Sequence, residues 1–81
     1  MNKEDEIYVY YLISQNLKRI RKMKGYTQEK LAEESTYSVG FIMNIESSKY
    51  TQTFSLGTLW RFAKVLGCDI REFFKPLEDE D

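Results

Sequence analysis

Among the polar side chains, those of Thr27, Gln28, Ser38 and Asn44 stand at or near expected helix starts, in "TQ" at Thr27–Gln28 and "SVGFIMN" at Ser38–Asn44, with Lys49 and Tyr50 just beyond. Their chemistry is hydrogen bonding, not covalent catalysis. The chain has no histidine and one cysteine, Cys68, so it offers almost nothing to a zinc ion. It carries no nucleophile–base motif, no phosphate loop and no metal-ligand cluster, which argues against an enzyme. Nor does it show a pattern for a cofactor or a small-molecule effector. What remains are amides and hydroxyls near expected helix starts. Thr27 and Ser38 both suit an N-cap. A helix start in turn presents free amides and partial positive charge to an anion.

The charge distribution points to the same kind of partner. The formal charge is −1, but the acidic residues cluster at the ends, in Glu4–Glu6 and Glu78–Asp81. Between Ile7 and Lys75 stand eleven Lys or Arg against six Asp or Glu. Five of those bases lie in "KRIRKMK", Lys18 to Lys24. A basic middle with acidic fringes suits an anionic partner better than the total suggests. A solvated helix face fits the charge alone equally well.

Helices must position these groups, because no period-two strand pattern occurs. Ile13, Leu17 and Ile20 share a face at i, i+4 and i+7, which predicts a first helix over about Glu6–Lys24. Gly25 supplies its left-handed stop. Thr27 then caps "QEKLAEE", with Glu29 favourable in the first turn and Leu31 and Ala32 inward. After the turn "STY", Ser38 caps a third helix. Phe41 or Ile42, Ile45 and Val39 are its candidates for the core. Ser55 caps a fourth, with Leu56, Leu59, Phe62, Ala63 and Leu66 as its buried stripe, and Gly67 ends it. "DIRE" at Asp69–Glu72 has capping-box spacing and starts a short last helix holding Ile70, Phe73 and Phe74, stopped by Pro76.

The 81 residues, 42% apolar and 15% aromatic, suit one small domain over 1–76, with 77–81 expected to fray as an acidic tail. Tyr8, Tyr11, Trp60, Phe73, Phe74 and Leu77 exceed what a minimal domain must bury. They are candidates for packing the N-terminal extension or for a dimer face. The longest apolar run, Ile7–Ile13, is too short to span a bilayer, and "MNKEDE" is acidic where a secretory leader would be basic. A cytoplasmic location with no membrane partner is the expectation.

Four pieces in order resemble the lambda-repressor-like helix-turn-helix family, the Cro or XRE type. They are "LKRIR" at Leu17–Arg21, "TQEKLA" at Thr27–Ala32, "SVGFIMNIE" at Ser38–Glu46 and "LWRFAKVLG" at Leu59–Gly67. The resemblance spans about Ile13–Phe74. It implies an all-α, compact five-helix DNA-binding domain, here with an extended first helix and a helix-turn-helix at about 28–47. It also implies a bacterial or phage transcriptional regulator, bound to double-stranded DNA as a homodimer on an inverted repeat. Its recognition helix would be about 38–47, in the major groove. The base-reading positions would be Ser38, Val39, Gly40, Phe41 and Asn44, and the phosphate contacts Thr27, Gln28, Lys49 and Tyr50. Arg21 and Glu46 match an interior ion pair. Asn44 can pair with adenine N6 and N7, Val39 can meet a thymine methyl, and Gly40 lets the backbone approach closely. Phe41 equally suits packing at the edge of the core.

Three departures stand out. Thr36 occupies the turn position usual for glycine, so the turn is strained or different. Ser48 replaces a glycine after the third helix. "TQTF" lengthens the following loop. The alternative function is a protein-interaction module, or an antitoxin-type partner-binding protein, on the same fold. The apolar third helix would then be the partner face.

Overall fold

A computed structural model of the chain describes residues 2–47, 49 and 52–77. Four α-helices and a 3-10 helix follow one another, and no strand occurs among the described residues. They are α1, Tyr8–Met23; α2, Gln28–Ser35; α3, Val39–Glu46; α4, Leu56–Leu66; and the 3-10 helix, Ile70–Phe74. α1 packs on α3 and the 3-10 helix, and α2 packs on α3 and α4. One apolar cluster joins all five. Leu17 and Ile20, Leu31, Ile42 and Ile45, Leu59 and Phe62, and Phe73 are each at most 2% exposed.

Local chemistry accounts for the boundaries. The hydroxyls of Thr27, Ser38 and Ser55 accept from the amides of Lys30, Phe41 and Thr58 at 3.0, 3.1 and 3.0 Å, so three helices begin on a side-chain cap. α1 has no such cap and starts later than the apolar run suggested, after Asp5 accepts from the amides of Ile7 and Tyr8 in a turn. α1, α2 and α4 all end in the same motif. Two amides fold back on earlier carbonyls around a left-handed residue: Gly25 (φ 75), Thr36 (φ 62) and Gly67 (φ 67). Two of these are glycines. Thr36 is β-branched, and left-handed geometry costs such a residue about 1–2 kcal/mol. The turn is therefore strained rather than rebuilt.

Several expectations from the stripe pattern fail in instructive ways. Leu56 is 71% exposed, on the outer side of the first turn of α4, and Thr58 in the same turn is buried in its place. Val39 likewise stays outside the core. The short last helix does form, as a 3-10 helix, but without the expected capping box. Asp69 accepts from the amide of Arg71 at 2.9 Å, and Glu72 pairs forward with Lys75 at 2.9 Å, so no capping box closes. Pro76 holds Lys75 extended (ψ 137), which leaves room for one tight 3-10 segment. Phe73 is fully buried there and Phe74 is 43% exposed. Buried Asn16 of α1 ties this segment down, donating to the carbonyls of Phe73 and Lys75 at 2.9 and 2.8 Å.

Candidate nucleic-acid interface

α3 is short, so its neighbours must aim it. Its C-terminal end is held by charge. Arg21 of α1 meets Glu46 as a bidentate pair, Nε to Oε2 at 2.7 Å and Nη2 to Oε1 at 2.8 Å. Arg21 Nη1 also donates to the carbonyl of Tyr26 at 2.7 Å. Both side chains of the pair are buried, at 8% and 2% exposure. The hydrogen bonds that Arg21 donates to Glu46 hold the guanidinium pKa above its ordinary range, against the opposing effect of burial. Gln28 completes the network, its Nε2 donating to Glu46 Oε1 at 3.1 Å. The amide expected to face a phosphate is thus turned toward α3. Its second hydrogen is the one left to offer outward.

The N-terminal end of α3 is held by aromatic packing and a guanidinium. The Tyr37 ring lies 5.1 Å from Phe41 and 5.5 Å from Phe62, and its hydroxyl bonds that of Thr58 at 2.9 Å. Arg61 of α4 sits over the same ring at 5.0 Å. Its Nη1 donates to Thr36 Oγ1 at 3.0 Å and to the Ser35 carbonyl at 3.3 Å. Sequence inspection missed this assembly. Its one visible signal was Thr36 in a glycine position.

Between these anchors lies an open edge. Ser38, Val39, Gly40 and Met43 are exposed, and Asn44 is half-buried. A Cβ added at Gly40 would meet nothing within 4 Å, so the glycine is not required by packing inside the chain. Phe41 is half-buried on Tyr37, which leaves only its outer part for a partner. Thr27 is exposed, although its hydroxyl caps α2. Lys49 is exposed in the loop, with its amide on Ser47 Oγ at 3.1 Å. Tyr50, Thr51, Ser48 and the acidic residues 78–81 lie outside the described residues. In the lengthened loop, Phe54 packs edge-on against Tyr10 at 5.2 Å. That contact ties the loop to the early turns of α1.

Other groups fall away from this site. Burial pushes the Cys68 thiol pKa up, which disfavours the reactive thiolate. No cluster of three His, Cys, Asp or Glu able to hold a metal occurs among the described residues. No helix among them is long and apolar enough to cross a membrane.

Comparison with known proteins agrees with the fold. The crystal structure of SinR, titled the master regulator for biofilm formation and solved in complex with DNA, matches with a TM-score of 0.68. Identity is 28%, over 78% of this chain and 98% of that one. Among curated proteins none matches. The model of the HTH_3 helix-turn-helix family aligns with residues 17–73, from Leu17 in α1 to Phe73 in the 3-10 helix. The chain belongs to this helix-turn-helix family, of the Cro/C1 type.

Proposed function

We propose that this chain is a sequence-specific DNA-binding transcriptional regulator that lays α3 in the major groove. One observation carries this. α3 is fixed at both ends by other helices, yet its first turn, Ser38 to Gly40, is left uncovered. A scaffold that rigid and an edge that open suit readout of base edges. The likeness to SinR, solved on DNA, supports the same reading.

Ser38, Val39, Gly40 and Asn44 form the base-reading set, with Phe41 at its border. Thr27, Gln28, Lys49 and Tyr50 contact phosphates. The set contains one amide, a methyl-bearing side chain and a bare backbone, and no arginine to clamp a guanine. Specificity then leans on an adenine, on thymine methyls, and on the spacing and shape of an inverted repeat read by a homodimer. The exposed aromatics Trp60 and Phe74 are candidates for the dimer contact, whereas buried Phe73 is not.

Selection of bound sequences from random duplex DNA tests the proposal. The expected outcome is an enriched half-site containing adenine, repeated with two-fold symmetry. A pool that stays random, together with no salt-dependent binding, would refute DNA readout. A second reading rests on exposed Met43, Leu56 and Trp60, an apolar set that suits a protein partner. The same negative result would favour it.

A further inference from the structure

Building on the DNA reading above, we propose that Arg61 is a positioning residue for recognition: it clamps a left-handed threonine and so sets the angle at which α3 meets DNA. The turn between α2 and α3 fixes that angle, and its pivot is Thr36 at φ 62 and ψ 25. A β-branched residue does not hold this geometry unaided. α1 and α4 use glycine at the equivalent place, Gly25 and Gly67. Three contacts converge on the threonine turn from one side chain of α4. Arg61 Nη1 reaches Thr36 Oγ1 at 3.0 Å and the Ser35 carbonyl at 3.3 Å, and the guanidinium lies 5.0 Å from the Tyr37 ring centre. Tyr37 is itself pinned to Thr58 of α4 at 2.9 Å, so both ends of the clamp rest on one helix. Tyr37 then carries Phe41, in the first turns of α3, at 5.1 Å. A shift of Arg61 would therefore be passed to the N-terminal turn of α3, where the base-reading edge lies. The charged contacts at Glu46 act on the other end of the helix.

Two properties separate this role from a plain phosphate contact. Arg61 directs Nη1 to the protein's own turn and lays its guanidinium over Tyr37. Its importance also depends on residue 36, because a glycine there needs no clamp. Binding of Arg61→Ala should be measured on two duplexes of equal length, the one enriched by selection with the wild-type chain and one of mixed sequence. Affinity for the selected duplex is expected to fall about tenfold, with mixed-sequence affinity and the salt slope nearly unchanged. In a Thr36→Gly background the same substitution should cost less than about threefold. Equal losses on both duplexes with the slope reduced by about one would mean a phosphate contact, and would overturn the clamp. A lowered melting temperature with an unchanged ratio between the duplexes would also overturn it, since the role would then be structural only. So would an unaltered variant, or an undiminished loss in the Thr36→Gly background. If R61A does not fold alone, the double variant decides: failure there too overturns the clamp. A wild-type chain that binds neither duplex overturns the DNA reading and this role together, whereas wild-type binding with a null effect of R61A overturns the clamp alone.

Discussion

The two ends of α3 are secured by different physics. At Glu46 a buried carboxylate accepts from Arg21 and Gln28, three donors at 2.7–3.1 Å in a site nearly closed to water. At Ser38 one hydroxyl caps the helix, and support comes indirectly, through Tyr37 packing and a strained turn. The closed end is sensitive to loss of one charged partner alone. The open end can vary without exposing a buried group. A helix built this way can keep its fold while its first reading residues change, because Ser38–Gly40 and the anchor at Glu46 sit about two turns apart.

The sharpest test of that contrast is Glu46→Ala. It leaves Arg21 charged and buried without its partner, a loss expected at about 3–5 kcal/mol. For a domain of this size that lowers the melting temperature by roughly 12–40 °C, at about 4–8 °C per kcal/mol. Thermal unfolding by circular dichroism measures it. A change of only a few degrees would mean that the two ends do not differ as described. Replacing both partners by apolar residues should cost much less, because no orphaned charge remains.

On the reading edge itself, close to the closed end, Asn44→Ala should act on DNA instead. Loss of a bidentate amide–adenine pair costs about 1–3 kcal/mol of discrimination, or roughly 5- to 150-fold in affinity at one base step. The loss should vanish on a duplex whose adenine has been replaced, which a competition assay would reveal. The melting temperature should move far less than for Glu46→Ala. A uniform loss on every sequence would remove Asn44 from base reading.

Much of this organisation was legible in the sequence, and the boundary of legibility is physical. Helix starts and stops depend on neighbours a few residues away, so Thr27, Ser38 and Ser55 could be read as caps, and Gly25 and Gly67 as stops. The face formed by Ile13, Leu17 and Ile20 followed from periodicity alone. Leu56 was misplaced in the core and Phe73 among the surplus aromatics, because burial at a helix end depends on where other helices stop. Asn16 was not anticipated at all, since its partners lie 57 and 59 residues away. At the candidate site, the pairing of Arg21 with Glu46 came from resemblance, because no spacing rule links α1 to α3. The grip of Arg61 on Thr36 had only the misplaced threonine to announce it.

Lys49 lies beyond the closed end, in the loop, and tests whether that side meets the DNA backbone. Lys49→Glu should weaken binding to selected and mixed duplexes alike. It should also reduce the slope of log affinity against log salt by about one. Titrations at several salt concentrations would measure this. A loss confined to the selected duplex would instead place Lys49 at a base edge.

Gly40→Ala is the smallest expected change and the one that best separates the two ends. Glycine inside a helix costs about 0.8–1.0 kcal/mol relative to alanine, and an added Cβ meets nothing within 4 Å in the free chain. The variant should therefore be more stable, by up to about 1 kcal/mol, in a denaturant titration. If α3 brings its backbone close to DNA at this point, the same methyl meets the groove, and affinity for the selected duplex falls. Stability and binding then move in opposite directions on one substitution. At Glu46 they can only fall together, because removing the anchor loosens the fold and the reading edge at once. A variant that gains stability and keeps full affinity would show that Gly40 faces away from the DNA. The base-reading edge would then have to be redrawn around Ser38, Val39 and Asn44.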